Sequence, residues 1–72
     1  MATKKAMQKQ VGGNHYKDLA IQPAQYCQMN RLNSLESAVI KYATRHQDKN
    51  GAEDINKAIH CLELILEMEY GE

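Results

Sequence analysis

Residues 33–69, NSLESAVIKYATRHQDKNGAEDINKAIHCLELILEME, hold two helical repeats around one turn, and their reading decides the fold. Asn33 is followed three residues later by Glu36, a capping-box start with Asn in the usual Ser/Thr place. Leu35, Ala38, Val39, Tyr42, Ala43 and His46 then recur at helical spacing, one apolar face ending near residues 47–48. Asp48-Lys49-Asn50-Gly51 is turn chemistry, since Asn and Gly tolerate positive φ. A last helix is expected over residues 52–69, with Glu53 and Lys57 as an i,i+4 pair at its start. Its expected core face is Ile55, Ala58, Ile59, Leu62, Ile65 and Leu66, while Cys61, Leu64 and Met68 fall on the far side. Only Asn56, His60, Glu63 and Glu67 make a clearly polar stripe. A helix apolar on two sides needs two partners, so the far side is expected to bury against another copy.

Outward from this hairpin the signals weaken. Pro23 suits the first position of a short helix over residues 23–30, where its missing N–H costs nothing. Val11 to Lys17, VGGNHYK, reads as a glycine loop, and residues 1–10 as a polar, Lys-rich flexible tail. The expectation is an all-α protein: a short N-terminal helix plus a two-helix antiparallel hairpin, assembled as a helical oligomer. Residues 11–72 would form one small domain.

Seventy-two residues and 8.2 kDa allow no more than that, and a chain of this size is marginal as an isolated monomer. No apolar run reaches membrane-spanning length and no signal-peptide h-region opens the chain, so a cytoplasmic protein is expected. Cys27 and Cys61 lack metal-pair spacing and are too few for a disulfide scaffold. The formal net charge of zero conceals a gradient. Residues 1–51 carry eight basic and three acidic groups, whereas residues 52–72 carry one basic and six acidic. Neutrality excludes a general polyanion binder such as a DNA-coating protein, but leaves room for a localised anion site.

Two places suit such a site. Lys41 and Arg45 share one edge of the first long helix, Lys49 lies just beyond its end, and Ser34 and Ser37 stand on the same side. Cations at i, i+4 and i+8 repel one another, and a phosphate between them relieves this. The loop Asn14-His15-Tyr16-Lys17 offers backbone amides, a stacking ring and cationic reach. A solvated basic edge and an ordinary glycine turn are the plain alternatives. Glu36, Glu53 and Asp54 can serve Mg²⁺ beside a phosphate, though acids at a helix start also answer the macrodipole. No Walker A or Rossmann glycine pattern is present, and no specific nucleophile–base arrangement.

The strings Asn14-His15-Tyr16-Lys17, Ile21-Gln22-Pro23 and Lys41-Tyr42-x-x-Arg45-x-x-x-Lys49-Asn50-Gly51-x-Glu53-Asp54-x-x-Lys57-Ala58 resemble a family of small tailed-phage proteins. These are labelled nucleotide kinase-like, after a T7-type phage nucleotide kinase lacking a P-loop, or SaV-like, or simply of unknown function. The likeness spans about residues 14–66. It implies a shared polar set of Asn14, His15, Tyr16, Lys41, Tyr42, Arg45, Lys49, Glu53, Asp54 and Lys57. Ser37-Ala38 stand where that family often has Gly-Asn. The expected function is a phage nucleotide-binding protein in the infected host's cytoplasm, sequestering a nucleotide or cyclic-nucleotide immune signal in an oligomeric cleft. The alternatives are a nucleoside monophosphate kinase with a site shared between subunits, for which Mg²⁺ would be the cofactor, and a protein-interaction module against a host target.

Overall fold

The computed structural model describes residues 18–72. The expected tail of residues 1–10 and the loop bearing Asn14, His15, Tyr16 and Lys17 lie outside them. The described residues are all-helical: α1 (Pro23–Met29), α2 (Ser34–Arg45) with a 3₁₀ turn (His46–Asp48), and α3 (Ala52–Tyr70). None of these helices is long and apolar enough to cross a membrane.

Local chemistry sets each boundary. Pro23 opens α1 after an extended Gln22. The helix closes on a Schellman pair, with the Leu32 amide donating to Cys27 O (3.0 Å) and the Arg31 amide to Gln28 O (3.2 Å). Arg31 occupies the left-handed position there, at φ 56°. Asn33 caps α2 as expected: its Oδ1 accepts from the Glu36 amide at 2.8 Å, and Glu36 Oε1 accepts from the Asn33 amide at 3.0 Å. Gly51 turns the chain into α3 at φ 56°, ψ −126°, a conformation closed to side chains with a Cβ. Gly71, left-handed at φ 72°, ends it.

The three helices lie side by side. α1 packs on α2 and α3 packs on α2, but α1 and α3 do not touch. The α1 side of α2 presents Ser37, Ile40, Lys41 and Thr44, lining two grooves with Pro23, Tyr26 and Cys27. The α3 side presents Tyr42 and Arg45. Ile40 and Tyr42 stand about 160° apart around the helix, which is why α2 has a partner on each flank. Such a layer encloses little: among the described residues the buried apolar side chains are Pro23, Cys27 and Ala58.

The face that α3 turns to α2 differs from the expected one. Asp54 and Ala58 are buried and Cys61, Leu64 and Ile65 half-buried, whereas Ile59, Leu62 and Leu66 keep 47, 48 and 46% of their surface exposed. Cys61 and Leu64, expected on the spare side, therefore lie inward, although Met68 stays exposed. The rotation follows from Asp54. Its carboxylate points at Arg45 of α2, so the residues four, seven and eleven later follow it inward. Apolar periodicity alone could not see that a charged residue sets the phase. On α2 the expected face holds except at Ala43, which is exposed.

Candidate functional site

Tyr42 is the centre of the cationic cluster. Half-buried between α2 and α3, its ring has Lys41 Nζ at 5.0 Å, Arg45 Cζ at 4.9 Å and Lys57 Nζ at 5.5 Å from the centroid. Lys41 and Arg45 flank Tyr42 on its own helix; Lys57 arrives from the neighbouring one. A ring has two faces, so at least two of the three cations share one. Each such contact contributes about 0.5–1 kcal/mol where solvent reaches it. The ring thus gathers positive charge that would otherwise spread.

The carboxylates nearby are already engaged. Arg45 Nε donates to Asp54 Oδ2 at 3.2 Å and its Nη2 to Oδ1 at 3.1 Å, a two-pronged clasp. The Asn50 amide and Nδ2 donate to the same two oxygens at 3.3 and 3.4 Å. Asp54 has no exposed surface. The Arg45 hydrogen bonds hold its carboxyl below the ordinary value of 3.8, outweighing the burial that pushes it up, with Asn50 assisting. Glu53 Oε2 pairs with Lys57 Nζ at 3.2 Å, both partly exposed. Lys41 has no acid within ion-pairing distance among the described residues.

Beside the ring lies an open groove of about 660 Å³, lined by Tyr42, Glu53, Asn56, Lys57, His60 and Cys61. On the other flank of Lys41 a smaller, almost wholly apolar groove of about 200 Å³ runs between α1 and α2, past Ser37 and Cys27. Lys41 therefore stands between two concavities.

Of the residues singled out in the sequence, Lys41, Tyr42, Arg45, Glu53, Asp54 and Lys57 come together. Lys49 stands exposed in the turn, outside the cluster, so Lys41, Arg45 and Lys49 do not form one continuous edge. Arg45 breaks that edge by turning inward to Asp54. Glu36 is engaged in the cap of α2. Sequence reasoning took Asn50 only as a turn residue, although it sits four positions before Asp54 and supplies two of its hydrogen bonds. Asn56 and His60, read as a solvent stripe, border the groove.

No curated protein and no solved structure matches the chain. Residues 7–63 match a protein family described as of unknown function (DUF3310), and the chain belongs to that family.

Proposed function

We propose that the chain binds a small phosphorylated ligand, of the nucleotide class, with its phosphates on Lys41 and Lys57. The observation that carries this reading is the meeting of two lysines from different helices over one tyrosine ring, beside an open groove. Folding brings them to one place, where a bridging anion relieves their mutual repulsion. Arg45 shapes the site from behind, locked to Asp54 and against the ring. Tyr42, Asn56 and His60 offer a nucleotide an aromatic edge and polar groups along the groove wall.

Binding is favoured over turnover by the state of the acids. Phosphoryl transfer needs carboxylates to hold Mg²⁺ and to position a nucleophile. Here Asp54 is saturated by Arg45 and Asn50, and Glu53 is paired with Lys57. We therefore read the chain as a phage protein that sequesters a nucleotide signal in the cytoplasm of an infected bacterium. Calorimetric titration with mono-, di- and cyclic nucleotides tests this. Binding that weakens at least tenfold in Lys41→Ala and in Lys57→Ala supports the site, as does weakening with added salt. An absence of binding up to millimolar nucleotide would sink it, and turnover of a nucleoside monophosphate with Mg-ATP would replace sequestration with catalysis.

A further inference from the structure

The helical layer has two unlike sides. Tyr42 and Ala58 point into the seam between α2 and α3. One residue earlier on each helix come Lys41 and Lys57, which share the side on which both reach the Tyr42 ring. One residue later come Ala43 and Ile59, about 100° around in the other sense, and both are exposed. The second side continues along α3 through Leu62 and Leu66, with half-buried Ile55 completing the row. The spacings 55, 59, 62 and 66 alternate four and three, the seam that packs helix against helix at a 3.5-residue period.

We propose that a second copy of this chain covers that side, giving a two-layer dimer whose Lys41–Tyr42–Lys57 faces point outward in opposite directions. A domain buries its core between two layers, and the described residues of one chain supply a single layer. The equal half-exposure of Ile59, Leu62 and Leu66 marks a row whose outer half remains to be covered. Charge fixes the direction. Beyond Lys57, α3 carries Glu63, Glu67 and Glu69 with Glu72 following, and no Lys or Arg. Parallel copies would stack these acids, whereas antiparallel copies carry each acidic end toward the partner's turn, where exposed Lys49 stands beside exposed Asp48 and the two charges balance. Lys57 lies about 160° around α3 from Ile59, so pairing leaves both cationic grooves open. The dimer therefore stands whether or not the groove binds a nucleotide.

Light scattering on the full chain at about 50 μM should give twice 8.2 kDa. A mass of one chain would mean that something other than a second copy covers the row, and would overturn the proposal. Leu62→Glu should return the mass to one chain with helical circular dichroism retained, while Lys57→Glu leaves the dimer intact; the reverse pattern assigns the wrong side. Cross-linking reads the same face without adding a charge. In a Cys27→Ala, Cys61→Ala background, Leu62→Cys, at the middle of the antiparallel row, should form an interchain disulfide under mild oxidation. His60→Cys, on the polar stripe, should not. Equal cross-linking at both positions refutes the sidedness.

Discussion

The two connections that flank α2 are built on different principles. The turn from α1 into α2 closes on itself: a Schellman pair around Arg31, then the exposed Asn33–Glu36 capping box, all within a few residues. The turn from α2 into α3 is closed by a fully buried carboxylate that reaches back nine residues to Arg45 while also holding Asn50. The first turn stops one helix and starts the next. The second sets the rotation of α3, and with it the division of the molecule into a cationic and an apolar side. Loss of a local cap frays a helix end; loss of the buried clasp removes the ion pair that joins two helices.

The comparison breaks hardest at Asp54. Asp54→Ala removes the two-pronged clasp between α2 and α3 and both Asn50 contacts, so the melting temperature should fall by more than about 10 °C. Because the Asp54 carboxyl is held below its ordinary value of 3.8 in the folded chain, its contribution is present in full above that value. It is lost progressively as pH falls through 3.8 toward the folded-state value. Melting temperatures between pH 7 and pH 3 should therefore hold steady and then drop, and Asp54→Asn should flatten the part of that drop due to this group. An Asp54→Ala protein as stable as the parent would remove the clasp from the account of the fold.

The same residue explains what the sequence could and could not disclose. Helix existence, the Asn33 cap, Pro23 at the head of α1 and Gly51 in the turn follow from rules acting within four residues, and each is where the sequence places it. The phase of α3 follows from an ion pair between helices, which no periodicity of apolar residues reports. The expectation of Ile59, Leu62 and Leu66 in the core fails within the chain, where each keeps nearly half of its surface exposed. Likewise the cationic residues of the candidate site are recognisable by type and spacing. That Arg45 is held by Asp54 while Lys41 and Lys57 converge on Tyr42 depends on two helices meeting.

Gly51 tests whether the second turn also needs its backbone. At φ 56° and ψ −126° a Cβ would meet no atom within 4 Å, so Gly51→Ala would be penalised by conformation alone. Chemical denaturation should register a loss of about 1–3 kcal/mol. The loss should be smaller than that of Asp54→Ala, because the clasp can still form across a strained turn.

At the first turn the effects shrink. Asn33→Ala removes the acceptor for the Glu36 amide but leaves the Glu36 carboxylate able to accept from residue 33, so about 1 kcal/mol should be lost. Tyr42 and its cations lie two turns away, and nucleotide titrations of this variant should match the parent.

Arg31 gives the smallest change and the only gain. It holds φ 56° at the left-handed position of the Schellman pair, where its Cβ is crowded and its exposed side chain enters none of the ion pairs among the described residues. Arg31→Gly removes that crowding, at the expense of a more flexible unfolded chain, and the balance should favour the variant by about 0.5–1 kcal/mol. Equilibrium denaturation decides it. A gain here beside a loss at Gly51→Ala would show both turns using positive φ, with only the second already furnished with the residue that suits it. A loss in Arg31→Gly would mean that the arginine side chain itself stabilises the α1–α2 turn, which would then depend on more than its backbone.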